Sequence, residues 1–372
     1  MKQREVQMIR QRLWQRFIAH LDPTLLASLG ILLLISLVVL YSASDGNWYR
    51  VLTHMINILV ACTALWIAAN TPLHYLMRVA VPIYLLGLAL LIAVAFFGEI
   101  ANGARRWLNV GVTTIQPAEL MRIAVPLMMA WYFEKCQATL TLKNYCFAAV
   151  LLLLPVTLIA RQPDLGTAIM VAASGLYVLF LAGISWRIML AIFVTFIASL
   201  PLVWSTLHDY QRHRIMMLID PSQDALGRGY HTIQSTIAIG SGGIFGKGYL
   251  NGTQTHLDFL PERTTDFIFA VHSEEFGLIG NLVLLSLYLF VISRSFIITT
   301  HASTYFTRLM AGSITLTFCT YIFVNIGMVS GILPVVGVPL PLISYGGTSM
   351  VILLLCFGIL MGIHSNKRIV QT

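Results

Sequence analysis

Thr24 to Ala43 reads TLLASLGILLLISLVVLYSA, a run without one charged residue. A bilayer core is about 30 Å thick, and a helix rising about 1.5 Å per residue crosses it with about 20 apolar residues. The run therefore reads as a membrane-spanning helix. Nine similar runs follow, at 51–69, 79–97, 117–133, 146–160, 166–183, 187–207, 266–293, 306–330 and 346–364. The fifth and sixth are parted only by Arg161 to Leu165, where Pro163 breaks any continuous helix. The expected fold is an all-α integral membrane protein of ten transmembrane helices, with residues 1–372 forming one polytopic domain.

Composition points the same way. Of 372 residues, 58% are hydrophobic and only 10% are charged. An ordinary soluble domain carries about 25% charged residues. So few charges cannot cover so much apolar surface in water, which excludes a soluble enzyme and a disordered chain. The net charge is +8, yet Lys and Arg are scattered through the gaps between apolar runs and form no single stripe, so no nucleic-acid partner is expected. The five cysteines avoid the longest polar loop and read as buried small hydrophobes, not as disulfide partners.

An even number of spans puts both termini on one side. With the termini in the cytoplasm, the inner segments hold Arg4, Arg10, Arg12, Arg16, Arg78, Lys135, Lys143, Arg294, Lys367 and Arg368. The short outer loops hold only Arg50, Arg105, Arg106 and Arg161. The positive-inside rule therefore places both termini in the cytoplasm. Residues 1–22 carry Ile9, Leu13, Trp14, Phe17 and Leu21 at helical spacing among arginines, the pattern of an interfacial helix on anionic lipid. The first span reads as an uncleaved anchor. Residues 208–265, between the seventh and eighth spans, form one long loop on the outer side.

The acidic residues gather at that side. Asp45, Glu99, Glu119, Asp164, Asp209, Asp220, Asp224, Asp258, Glu262 and Asp266 all lie at or near it. Ionisable groups at membrane depth are costly and mark function by default. Glu119 and Arg122 are three apart on the helix opened by Gln116-Pro117, so they share a face. They form either a self-neutralising pair or a hold for an anionic substrate. Asp164 starts the sixth span, as an N-cap or as part of a site. In the long loop, GKG at Gly246–Gly248 looks like a nucleotide loop but lacks the first glycine and the Ser/Thr that would hold magnesium. Its glycines suit tight turns or a close backbone approach. The histidines of the loop show no zinc spacing. Asp266 follows Pro261-Glu262-Arg263 and opens an apolar span, where partial desolvation would raise its pKa toward that of a general base. SGILPVVGVPLPLISYGGTS, Ser330 to Ser349, is an uncharged Pro/Gly-rich segment that must pack on protein or line a cavity.

QPDLGT at 162–167, IAIGSGGIFGKGYLNGTQTHLDFLPERTTDFIFAV at 237–271 and ILPVVGVPLPLISYGGTS at 332–349 resemble the shape, elongation, division and sporulation (SEDS) family of bacterial membrane proteins. The resemblance runs from His20 onward, and GMVSGILPVVGVPLPLISYGG is closer to the rod-shape branch than to the division branch. It implies ten transmembrane helices in the bacterial cytoplasmic (inner) membrane and an active site facing the periplasm. It implies a peptidoglycan glycosyltransferase that polymerises lipid II during cell-wall elongation. The implied partners are a class B penicillin-binding protein and other elongation-complex membrane proteins. The family's essential aspartate falls on Asp266, and its Gln-Pro-Ser-Glu-x-x-Lys motif on Gln116 to Arg122, with Ala118 for Ser and Arg122 for Lys.

On this reading Asp266 is the base that takes the acceptor proton. Glu119, Arg122, Arg106, Gln116, Asp164, Arg212, Arg214, Lys247 and Arg263 are substrate-binding candidates, the arginines suiting a departing pyrophosphate. A divalent cation, Mg or Mn, could share that task, although no ligand set is readable. Two rivals remain: a lipid II flippase, which would place charge at midplane on discontinuous helices, and a non-catalytic scaffold that activates its partner.

Overall fold

A computed structural model describes residues 20–101, 104–109, 114–206, 212, 216, 228–256, 260 and 262–370. The expected interfacial helix at 1–22 and most of 207–227 lie outside the described residues.

Asp22 and Pro23 start the first helix, α1 (Pro23–Ala43). One Asp22 oxygen accepts from the amides of Thr24 and Leu25, both at 3.0 Å, the usual N-cap pattern. Then come α2 (Trp48–Asn70), α3 (Leu73–Phe97), α4 (Pro117–Cys136), α5 (Leu142–Arg161), α6 (Leu165–Leu181) and α7 (Trp186–Thr206). A further helix, α8 (Arg228–Ser241), and a single turn Thr253–His256 occupy the loop region. The chain ends with α9 (Ile268–Thr300), α10 (Tyr305–Val329) and α11 (Thr348–Val370). Each of the ten apolar runs is thus helical, and α5 and α6 part at Pro163 as its ring requires. Among the described residues, seven of these helices are long and apolar enough to cross a membrane. The helix α6, at 17 residues, is shorter, and α4 carries four charged side chains.

The helix α4 lies among α3, α5, α6 and α10. Most of it is buried, including Glu119 and Arg122, because neither charge can face lipid. Around it α11 lies along α2, α1 along α9, and α10 against both α6 and α9. Side chains such as Leu34, Leu59, Leu85, Leu153, Leu282 and Phe323 are exposed, as a lipid-facing surface needs. The cysteines are all free, but none is buried: Cys62 and Cys146 are exposed and the others half-buried. A small apolar side chain needs no protein cover where lipid supplies it.

Two features depart from the uninterrupted all-α reading. Between α3 and α4 the chain forms a small antiparallel sheet, β1 (Glu99–Ala101), β2 (Ala104–Asn109) and β3 (Thr114–Ile115), in which Ala101 pairs with Ala104 and Leu108 with Ile115. Strands this short leave too little alternation to read. The second departure is a break in α9 at Gly277 (φ 64°, ψ −160°). The glycine-rich segment after α8 fills it. Lys247 N donates to Glu274 O (3.0 Å), Gly248 N to Glu275 O (3.1 Å), Leu278 N to Gly243 O (2.9 Å) and Ile279 N to Ile244 O (3.2 Å). Backbone groups freed by the break are satisfied inside the protein, as membrane depth demands. A Cβ on Gly246 would stand 2.1 Å from Glu275 O, so the close approach these glycines allow is to a helix backbone. The GKG amides that a nucleotide phosphate would need are thus occupied, Lys247 N and Gly248 N by α9 and Gly246 N by Gly242 O at 2.8 Å.

At the end of the bundle away from these loops, the second Asp22 oxygen accepts from Arg294 Nε (3.0 Å) and Nη2 (2.6 Å), with His364 Nε2 at 3.6 Å. This ties α1, α9 and α11 together. Burial would raise the Asp22 pKa, but the bonds from Arg294, Thr24 and Leu25 outweigh it and hold the carboxyl at about 2.

Candidate active site

Thr264, Thr265 and Asp266 form a turn ahead of α9, and their three successive carbonyls are all claimed. Tyr345 N donates to Thr264 O (2.9 Å), Ser344 Oγ to Thr265 O (2.6 Å), and Asn325 Nδ2 to Asp266 O (2.9 Å). The same Asn325 nitrogen donates to Val338 O at 2.7 Å. The turn is therefore fastened to α10 and to the Pro/Gly-rich segment, whose expected packing role is seen here.

The Asp266 carboxylate is not so fastened. Among the described residues it has no hydrogen bond and no ion pair, and it is half-buried, within reach of solvent. Its Oδ2 faces Gly337, where a Cβ would stand 3.3 Å away. Burial, and secondarily the negative charge of Glu262, push its pKa up to about 6. A carboxylate so placed is mostly ionised at neutral pH yet more basic than an ordinary one.

Across the 336–338 segment lies α6. A Cβ on Gly166 would meet Val336 O at 2.6 Å, so only glycine permits this seat. Two residues earlier, Asp164 caps α6 by accepting from Thr167 N (3.2 Å) and takes a 2.7 Å bond from Gln116 Nε2. Arg106 reaches the same carboxylate at 3.8 Å and donates to Pro163 O at 3.2 Å. Its side chain stays 30% exposed, which leaves it able to meet an incoming anion.

Deeper along α4, Arg122 Nη1 pairs with Glu119 Oε2 at 2.5 Å, both side chains buried. The guanidinium stacks on the Tyr321 ring, 5.0 Å from its centroid. Tyr321 packs with Met170 and Val338, one helical turn below Asn325. Along α10, Tyr321 beneath the Arg122 guanidinium is thus about 6 Å from Asn325, which holds the Asp266 carbonyl. Below the Glu119–Arg122 pair is a small cavity of about 30 Å³, with Arg122, Thr317, Tyr321 and Cys356 among its lining residues. Arg122 Nε, Thr317 Oγ1 and Tyr321 OH have no hydrogen-bond partner among the described residues.

The structure therefore brings Gln116, Glu119, Arg122, Arg106, Asp164 and Asp266 to one end of the bundle. Others are engaged elsewhere. Lys247 donates to Glu274 Oε1 (2.8 Å) and to Thr253 Oγ1 (2.7 Å). Arg263 pairs with Asp45 and donates to Thr255 O. Arg212 Nε donates to Trp204 O at 3.0 Å, and Arg214 lies outside the described residues. Among the described residues no three His, Cys, Asp or Glu side chains converge on one point as a metal cage would require.

Sequence reasoning passed over four residues. Glu274 is wholly buried and accepts from Lys247, Thr253, Thr255 and Gln254 N. Glu275, also buried, accepts from Ser42 Oγ. Two adjacent acids inside an apolar run were a readable sign of a break in α9. Tyr321 and Asn325 carried no such sign, since one polar side chain in an apolar helix is ordinary.

Residues 18–369 match the model of the cell cycle protein family that groups FtsW, RodA and SpoVE. The chain belongs to this family. It is 50% identical over 353 residues to the peptidoglycan glycosyltransferase MrdB of Escherichia coli (strain K12), covering 95% of each chain. It is 33% identical to the peptidoglycan glycosyltransferase RodA of Treponema pallidum, over 75% of this chain and 81% of that one. Among solved structures, a chain of a peptidoglycan synthase complex that coordinates polymerization and crosslinking superposes with TM-score 0.82 at 30% identity, covering 93% of this chain and 98% of that one. The crystal structure of the rod shape determining protein RodA of Thermus thermophilus gives TM-score 0.71 at 26% identity, over 93% and 97% of the two chains. As a member of the SEDS family, the chain is a multi-pass membrane protein.

Proposed function

We propose that this chain polymerises lipid II at the periplasmic face of the bacterial inner membrane, with Asp266 as general base. Its class is that of its relatives: a peptidoglycan glycosyltransferase of the rod-shape branch. The observation that carries the site assignment is the Asp266 carboxylate, fixed through its backbone, unpaired among the described residues and held at about 6. The ten helices cross the membrane with both termini in the cytoplasm, which puts the Asp266 end outside, as the distribution of Lys and Arg requires.

In this mechanism the acceptor sugar hydroxyl attacks the anomeric carbon of the donor. Its proton passes to Asp266 as the bond between that carbon and the pyrophosphate oxygen breaks. The departing undecaprenyl pyrophosphate gains negative charge, which the partly exposed Arg106 can meet. Arg122 is already balanced by Glu119, so it contributes a fixed dipole and hydrogen bonds more than free charge. A magnesium or manganese ion would enter with the substrate's phosphates, the usual way Mg is held where the protein builds no cage. Crosslinking by a class B penicillin-binding protein beside it is the assembly that the related synthase complex suggests.

The flippase reading finds its discontinuous helix in α9, but both acids at the break are engaged, Glu274 by Lys247 and Glu275 by Ser42. Purified protein in detergent separates these readings, since no flipping is possible there. Glycan strands on a gel, formed from lipid II with or without the transpeptidase, support the enzyme. Absence of strands in both mixtures rejects it.

A further inference from the structure

Asn325 is wholly buried in α10, and its amide nitrogen bridges two carbonyls of different segments, Asp266 O at 2.9 Å and Val338 O at 2.7 Å. Both partners can only accept, so the NH₂ must face them and the amide orientation is fixed. Its Oδ1 is left without a partner among the described residues. The bridge sets the spacing between the Asp266 turn and the 336–338 segment, whose Gly337 is the surface that Asp266 Oδ2 faces. Ser344 adds a second tie. Its hydroxyl donates to Thr265 O at 2.6 Å and accepts from Leu340 N at 2.8 Å. Taking Asp266 as the base, we infer that Asn325, seconded by Ser344, is a positioning residue that sets the depth and aim of the Asp266 carboxylate against the Gly337 backbone.

The physical case is a matter of degrees of freedom. The Asp266 side chain carries no hydrogen bond of its own among the described residues, so its placement depends on its backbone. Besides the local bonds of Thr265 N and Phe267 N to Glu262 O, three carbonyl bonds tie that backbone to other segments, and the one at residue 266 itself comes from Asn325. Without that donor the turn can tilt outward, and the carboxylate moves both away from its reacting hydroxyl and into water. A misplacement of the reacting group by about 1 Å, even from a change remote from the chemistry, can cost on the order of a hundredfold in rate.

The test is steady-state polymerisation of lipid II by purified full-length Asn325→Ala, with rate measured against substrate and against pH. The expected result is a fall in kcat of about ten- to a hundredfold, with KM little changed, and an acid limb displaced to lower pH as Asp266 becomes better hydrated. Ser344→Ala should shift both in the same direction by less. A merely structural Asn325 would lower the melting temperature while kcat per folded molecule and the acid limb stayed at parent values, and that result overturns the inference. Should Asn325→Ala fail to fold, Ser344→Ala decides alone: unchanged kcat and acid limb reject the positioning device. Asp266→Asn, run alongside, separates the two claims. If it retains activity, the base assignment fails, whereas loss of activity there with parent-like behaviour in both other variants removes only the positioning role.

Discussion

Replacing Arg122 by alanine removes one member of a buried pair and leaves Glu119 enclosed between α4 and its neighbours. The pair is 2.5 Å apart, with both side chains less than a tenth exposed. Breaking such a pair on one side costs about 3–5 kcal/mol, because the survivor keeps its desolvation cost without its partner. Loss of the stacking on Tyr321 adds about 1 kcal/mol. Arg122→Lys keeps the charge and should lose only that stacking and one bonding direction, about 1–2 kcal/mol. The double variant Glu119→Gln with Arg122→Met removes both charges at similar volume and should recover most of the stability lost by Arg122→Ala. Thermal melting of the four proteins in one detergent measures this. Glycan yield on the same preparations should survive in the lysine variant and fall in the alanine and double variants. An Arg122→Ala protein that melts with the parent, or a double variant that melts no higher than Arg122→Ala, would refute the buried-pair reasoning.

Because the Asp266 pKa is raised to about 6, the base is ionised above that pH, so polymerisation should fall as pH drops through about 6; Glu262→Gln should move that limb to lower pH in a rate–pH profile. Gly246→Ala should destabilise the protein, since its Cβ would meet Glu275 O at 2.1 Å and its φ is +77°, whereas Gly240→Ala, with open space around it, should not; comparison of the two melting curves checks this. Asp22 has a depressed pKa, so its contribution to stability is full above its ordinary carboxylate range and is lost as pH falls toward about 2; Asp22→Asn should melt earlier than the parent at neutral pH and lose that acid dependence.

The helices were legible because lipid imposes one rule on every apolar run, and the break between α5 and α6 was legible because proline cannot continue a helix. Glu119 with Arg122, and Asp266 at a helix mouth, stood out because charge at membrane depth is costly. What the sequence could not show was which backbone atoms meet. The glycines of 242–248 are spaced like a phosphate loop, yet their open space is taken by α9, more than twenty-five residues further along the chain. Lys247 has the charge and position of a substrate cation in the sequence, but across that gap it is paired with Glu274. Asn325 is a single amide in an apolar helix, and only the carbonyls it faces give it a role.

The central claim is that Asp266 is the base. Asp266→Asn is nearly isosteric and keeps the backbone carbonyl that Asn325 holds, so the protein should fold and melt as the parent does. General base catalysis contributes about 10²–10⁴-fold, and the glycan yield from lipid II should fall by that order. An Asp266→Asn protein of unchanged melting temperature that polymerises at more than about a tenth of the parent rate would contradict the assignment.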